Sequence, residues 1–157
     1  MLELQLTRSK EDKRRLDLAG VGSVRFENLW GTKLRLTAPG QGEWRVVRSR
    51  RGVAVSDAAG TTVAAFVGDG VESGDVAVEI TTPHQGLLGR RPSFLLLHGE
   101  RELARVDPSV WSEKPLAITV LDEDFVARHP LLFLLALYRA QLVAASRQAA
   151  AAAGVVT

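Results

Sequence analysis

The chain has 157 residues, enough for one domain with a hydrophobic core, and it contains no cysteine. The missing thiols exclude disulfides, thiolate metal sites and catalysis by a cysteine nucleophile. Lys and Arg number 20 against 18 Asp and Glu, and the formal net charge of +2 is too small to predict a nucleic-acid-binding protein.

Apolar and polar residues alternate along most of the first 121 residues, as they do in strands that bury one face. The alternating apolar residues are Leu2, Leu4 and Leu6; Leu16 and Leu18; Val24 and Phe26; Leu34 and Leu36; Val76, Val78 and Ile80; and Leu116, Ile118 and Val120. Segments 50–68 and 93–107 each predict a hairpin. Turn signals such as Gly68-Asp69-Gly70 separate the runs, so the pattern predicts about nine or ten antiparallel strands in a barrel or sandwich.

Residues 129–153 predict a helix that begins near Pro130, a residue suited to the first helical position. The stretch from Leu131 to Tyr138, which includes Phe133, has no polar face. A bilayer span needs about 20 mainly apolar residues, and Arg139 breaks this run too early. A helix that is apolar on all sides is a buried helix, so we predict that it fills a closed barrel and that Arg139 reaches one end of the barrel or meets a carboxylate.

This order of features resembles the Tubby C-terminal-like fold, which Tubby domains, phospholipid scramblases and LURP-one-related proteins share. Segment 44–66 is similar to the central hairpins of the LURP-one-related group, and segment 115–145 resembles their final strand, short acidic link and core helix. The resemblance covers roughly residues 44–147. It implies a mainly β protein, with a closed antiparallel barrel around a hydrophobic C-terminal helix. We expect a single domain over residues 1–157.

The acidic residues Asp122, Glu123 and Asp124 stand where scramblases carry a segment proposed to bind calcium. Calcium takes six to eight oxygen ligands, and three consecutive side chains cannot all point at one ion. The alternative interpretation is a solvated turn with favourable charge near the start of the last helix.

The sequence contains no recognisable catalytic constellation. His84, His98 and His129 lack metal-ligand spacing, and there is neither a G-x-S-x-G elbow nor a P-loop. We therefore predict no catalytic residue, no metal and no cofactor.

Basic clusters give the candidate ligand-binding surface. It comprises Arg45, Arg48, Arg50 and Arg51, together with Arg90 and Arg91 of the long, irregular segment 81–93. A further cluster contains Lys10, Lys13, Arg14 and Arg15. If such residues converge, they could bind an anionic head group or phosphate; otherwise they are solubilising charges.

The predicted function is therefore non-enzymatic binding or scaffolding at anionic phospholipid or phosphoinositide surfaces. We expect a cytoplasmic protein, peripheral at the membrane, because the N-terminus lacks the pattern of a signal peptide. Nucleic acid is not an expected partner, and the oligomeric state is not predicted. The alternatives are a protein-interaction or ligand-sequestering module that docks through segment 81–93, a tail-anchored membrane protein and an enzyme.

Overall fold

Twelve antiparallel strands form a closed barrel within the part of the chain that the computed structural model describes. That part comprises residues 2–81, 94–106 and 116–152, with side chains except at 116–117 and 147–152. Each strand pairs with the next in the chain, and β1 also pairs with β12, which closes the sheet. The strands are β1 (Leu2–Arg8), β2 (Arg15–Leu18), β3 (Gly22–Phe26), β4 (Lys33–Ala38), β5 (Gly42–Ser49), β6 (Gly52–Asp57), β7 (Thr62–Val67), β8 (Gly70–Ser73), β9 (Val76–Thr81), β10 (Phe94–His98), β11 (Arg101–Val106) and β12 (Leu116–Val120).

Period-2 patterning divides the strand residues between the inside and the outside of the barrel. In β4, Leu34 and Leu36 are buried, whereas Lys33 and Arg35 lie on the outer face. Closure leaves no sheet edge to be protected from pairing with another chain. The predicted fold class, a mainly β closed antiparallel barrel, is confirmed.

The last helix, α2 (Pro130–Ala152), begins where the sequence predicts. Every residue from Leu131 to Tyr138 is buried, so no side of this part of the helix faces solvent. It packs against β3, β4, β8 and β9, which lie on different sides of the barrel. The prediction that an apolar helix occupies the barrel interior is therefore confirmed.

Two elements differ from the sequence-based prediction. The structure has twelve strands where the sequence predicts nine or ten, and the strands not predicted include β8, which is only four residues long. The predicted turn Gly68-Asp69-Gly70 is in fact shorter, since Gly70 already begins β8. The link before α2 also contains a short helix, α1 (Glu123–Arg128), where the sequence suggested a solvated turn.

The antiparallel order places successive connections at alternate ends of the barrel. We call the end where α2 begins the base and the end where α2 leaves the mouth. Connections 9–14, 27–32, 50–51 and 68–69 lie at the mouth, and connections 19–21, 39–41, 58–61, 74–75 and 99–100 lie at the base. Contacts from the helix agree with this assignment, because Tyr138 reaches Gly31 and Arg139 reaches Gly68, both in mouth connections.

Candidate functional site

Charge is unevenly divided between the two ends of the barrel. The exposed basic residues of the mouth are Arg8, Lys10, Lys13, Arg14, Lys33, Arg48, Arg50 and Arg51, and its described acids are Glu11, Asp12, Glu27 and Asp69. The base carries mainly acids, namely Asp57, Asp75, Glu100, Asp122, Glu123 and Asp124, beside Arg101 and Arg128. The net charge of +2 therefore conceals a basic mouth and an acidic base.

The structure separates the predicted binding arginines. Arg48 lies at the mouth end of β5, and Arg50 and Arg51 lie in or next to the β5–β6 turn, all three exposed. Arg45 lies nearer the base end of β5, on the outer wall of the barrel. Arg90 and Arg91, like most of segment 81–93, lie outside the described residues. Thr81, the first residue of that segment, and Phe94, the residue after it, are at the mouth ends of β9 and β10.

Arg45 belongs to a row of arginines that crosses four neighbouring strands. Strand register places Arg15 opposite Arg25, Arg25 opposite Arg35, and Arg35 opposite Arg45. Directly opposed like charges destabilise a sheet, so each member needs a counter-charge. The ion pairs are Arg15–Asp17 at 3.0 Å, Arg25–Asp12 at 2.8 Å, Arg35–Glu27 at 3.0 Å, Arg35–Glu43 at 3.4 Å and Arg45–Glu43 at 3.5 Å. We therefore assign this row, including Arg45, to the stabilisation of the wall.

The β1–β2 connection is held against this row through Asp12. Its carboxylate accepts hydrogen bonds from the Arg25 Nε, at 2.8 Å, and from the Arg14 backbone N–H, at 3.0 Å. These bonds keep the pKa of Asp12 below its usual value. Lys10, Lys13 and Arg14 remain exposed around this anchored acid. The connection thus presents its basic side chains at a fixed position on the mouth.

Tyr138 and Arg139, at the end of the apolar stretch of α2, contact two connections at the mouth. The Tyr138 hydroxyl donates to the Gly31 carbonyl oxygen at 2.9 Å; burial raises the pKa of this hydroxyl, and the nearby Arg48 charge opposes the rise. Arg139 donates to the Gly68 carbonyl oxygen at 2.8 Å and lies 3.7 Å from the Asp69 carboxylate. Its guanidinium also lies over the Phe66 ring, 4.9 Å from the centroid. The prediction for Arg139 is confirmed.

Large apolar side chains are exposed at the same end. Leu29 and Trp30, in the β3–β4 connection, are 86% and 82% exposed, and Val47 and Val67 near the mouth ends of β5 and β7 are also exposed. In the described part of the chain, Leu2 is the only other exposed large apolar residue. Leu29 and Trp30 lie outside every motif and cluster from which the candidate site was predicted. The available signal was a pair of large apolar residues between Asn28 and Gly31, two residue types typical of turns.

Two open clefts lie at the base among the residues that the structure describes. One, of about 470 Å³, lies between residues 17–23 and 37–39, and the other, of about 280 Å³, includes Trp44, Ser73, Arg128 and His129. The rings of His98 and His129 lie against Phe125, with centroids 5.2 and 5.0 Å away, and the His98 Nδ1 is 2.9 Å from the Ala77 carbonyl oxygen. Across residues 2–81, 94–106 and 116–152, no three His, Asp or Glu side chains are grouped so as to hold a metal ion.

Asp122 is occupied as the N-cap of α1. Its Oδ1 accepts from the Phe125 backbone N–H at 3.2 Å, and its Oδ2 lies 3.3 Å from the Arg101 guanidinium. Glu123 and Asp124 follow in the first turn, exposed to solvent. These contacts account for Asp122 without a cation.

We expect Asp122→Ala to lower the free energy of unfolding by about 1 kcal/mol, because the first turn of α1 loses its cap. Asp122→Asn keeps a capping oxygen and loses only the ion pair to Arg101, whose side chain is 73% exposed, so it should cost less than about 1 kcal/mol. Urea unfolding measures both. Equal losses in the two variants would show that the ion pair, and not the cap, is the important contact.

No helix within the described ranges combines the length and the apolar character that crossing a bilayer requires. Comparison of the chain with family models, curated proteins and solved structures finds no match.

Proposed function

We propose that the chain is a Tubby C-terminal-like domain that acts without catalysis, as a peripheral binding module for anionic phospholipid surfaces. The order of elements supports the family, because a closed antiparallel barrel is followed by a short acidic segment and then by a hydrophobic helix in the barrel interior. The observation that carries the function is that exposed basic side chains from separate connections lie at the same end of the barrel.

The chemistry of the mouth suits a surface of many phosphates better than a single small ligand. Lys10, Lys13, Arg14, Arg50 and Arg51 are exposed, and none of them takes part in an ion pair among the described residues. A basic residue near an anionic leaflet contributes about 1 kcal/mol of binding free energy. The acidic base points the other way along the barrel, so the same field orients the protein with its mouth toward the lipid.

Flotation with lipid vesicles tests this proposal. We expect the protein to float with phosphatidylcholine vesicles that contain phosphatidylserine, and to float more readily when a phosphoinositide is added. It should not float with phosphatidylcholine alone. Raising the salt to roughly 1 M shortens the Debye length to about 3 Å and should release most of the bound protein.

A charge-reversal pair localises the interaction. Arg50→Glu with Arg51→Glu should weaken binding on the order of 1,000-fold, because two favourable contributions of about 1 kcal/mol each become unfavourable by a similar amount. The control is Arg101→Glu with Arg128→Glu, which makes the same change in net charge at exposed positions of the base. Equal losses in both pairs would assign the binding to net charge and refute a role for the mouth. Absence of flotation at low salt would end the proposal.

A further inference from the structure

The β3–β4 connection at the mouth is a small, closed loop. The Asn28 Oδ1 accepts hydrogen bonds from the backbone N–H groups of Thr32, at 3.0 Å, and Lys33, at 3.3 Å, and the Asn28 Nδ2 donates to the Thr32 Oγ1 at 2.6 Å. Where the loop joins β3 and β4, the Glu27 N–H donates to the Lys33 carbonyl oxygen at 2.8 Å. One side chain thus fixes both ends of the loop and leaves Leu29 and Trp30 at its apex.

The loop is also tied to the body of the barrel. Gly31 adopts a left-handed conformation, with φ +67°, and its carbonyl oxygen receives the hydrogen bond of Tyr138 from the core helix. The Thr32 carbonyl oxygen accepts from the Arg48 backbone N–H at 2.7 Å, which joins the loop to β5. Because folding has already ordered this backbone, a partner that binds the apex does not have to order it.

Packing within the protein does not explain why the two apex residues are large and apolar, because both side chains are exposed. Leu29 and Trp30 are the two most exposed large apolar residues of the described chain, at 86% and 82%. Tryptophan favours the boundary between lipid head groups and acyl chains, where its ring is apolar on its faces and its N–H can still meet a hydrogen-bond acceptor. Leucine gains free energy from deeper burial among acyl chains.

We infer that the Leu29–Trp30 apex enters the interfacial layer of an anionic bilayer, as the apolar anchor of the surface that the mouth contacts. The inference rests on the proposed function and deepens it. Basic residues flank the loop in sequence or across strands, since Lys33 closes it and Arg48 bonds to it. A peripheral protein is retained on a membrane by two kinds of group together. Basic groups attract it to the anionic lipids, and apolar groups insert among them.

The path of α2 sets the direction of approach. The helix runs on to Ala152, well beyond the level of Tyr138 and Gly31. A bilayer therefore meets the mouth obliquely, on the side of the β3–β4 and β5–β6 connections, which carry Trp30 and Arg50. The hydrogen bond from the Arg48 N–H to the Thr32 carbonyl oxygen joins the first of these connections to β5. The opposite approach, squarely along the barrel axis, places the protruding helix in the way.

The fluorescence of Trp30 in the full-length chain tests the inference directly. In the variant Trp44→Phe with Trp111→Phe, Trp30 is the single tryptophan. We expect its emission to shift to the blue when phosphatidylserine-containing vesicles are added, and to be quenched by lipids brominated near the top of the acyl chain. The control keeps Trp44 instead, through Trp30→Phe with Trp111→Phe. Trp44 lies toward the base and packs against the core, so its emission should stay unchanged.

Binding measurements separate this inference from the proposed function. Trp30→Ala should weaken vesicle binding about ten-fold, and the remaining binding should stay sensitive to salt. Vesicle binding that is unaffected by Trp30→Ala, with no change in Trp30 emission, refutes insertion while leaving the electrostatic function intact. No vesicle binding by the unmodified chain overturns both. Insertion also into uncharged phosphatidylcholine vesicles at high salt would contradict the assignment to an anionic bilayer.

Discussion

Leu135→Ala should lower the free energy of unfolding by about 2–5 kcal/mol, since it removes a fully buried side chain from the helix that fills the barrel. For a domain of this size, the loss corresponds to a fall in melting temperature of about 5–15 °C. The cost arises from lost apolar burial and from the cavity that remains. The surrounding wall is a closed ring of paired strands, so it cannot collapse freely onto the space.

The same substitution at Leu29 is the matched control. Leu29 is 86% exposed, and Leu29→Ala should change the free energy of unfolding by less than about 0.5 kcal/mol. Thermal melts and urea titrations of the two variants measure the difference, and circular dichroism at low temperature shows whether each is folded. If Leu135→Ala were as mild as Leu29→Ala, the helix would not be the core of the barrel. Leu29→Ala also provides a folded variant for the membrane experiments.

The architecture could be predicted because one segment had a single physical solution. An uninterrupted apolar stretch ending at Arg139 is too short for a bilayer span and has no polar face to turn toward solvent, and in an all-β chain the remaining place for it is the inside of a barrel. The prediction for Arg139 followed from the same argument, because a charge at the end of a buried stretch must reach an acceptor. Its partners, the Gly68 carbonyl and Asp69, lie in a connection that no local pattern linked to the helix.

The two shortest elements, β8 and α1, are too short to show a recognisable hydrophobic pattern in the sequence. β8 has four residues and begins at Gly70, and glycine is a residue type that favours a turn over a strand. α1 has six residues, and its periodicity consists of Phe125 and Val126 alone, too little to distinguish a helix from a link. In both places, pairing or packing with the rest of the barrel determines the structure, and propensity does not.

The candidate site was visible only in part. Arg48, Arg50 and Arg51 were selected because they are close together in the sequence, and the same reasoning grouped Arg45 with them, a residue that the strand register sets on the outer wall. Cross-strand register places Arg45 opposite Arg35, and Glu43 lies two residues away on the same strand, so these partners are evident only once the β4–β5 pairing is known. The whole-chain charge was uninformative for a related reason, because it sums over a mouth and a base of opposite character.

A glycine in the barrel wall supplies the second large effect. Gly22, the first residue of β3, does not have a positive φ, so its backbone conformation is open to other residues. Space is the constraint there. A Cβ at Gly22 would lie 2.1 Å from the Thr37 carbonyl oxygen of β4 and 3.0 Å from the Leu134 Cδ1 of the core helix. The nearer atom belongs to the backbone, so a change of side-chain rotamer cannot relieve the clash.

Gly22→Asn should therefore cost about 3 kcal/mol or more, because β3 must move away from β4 and lose part of their pairing. Gly20→Asn, two residues earlier, is the control. Gly20 has φ +77° and no atom within 4 Å of an added Cβ, and asparagine is tolerated in that conformation. Its cost should stay below about 1 kcal/mol. Denaturant unfolding of both variants decides the point: comparable losses would mean that β3 and β4 do not approach as closely as this packing requires, and the tight wall around α2 would have to be abandoned.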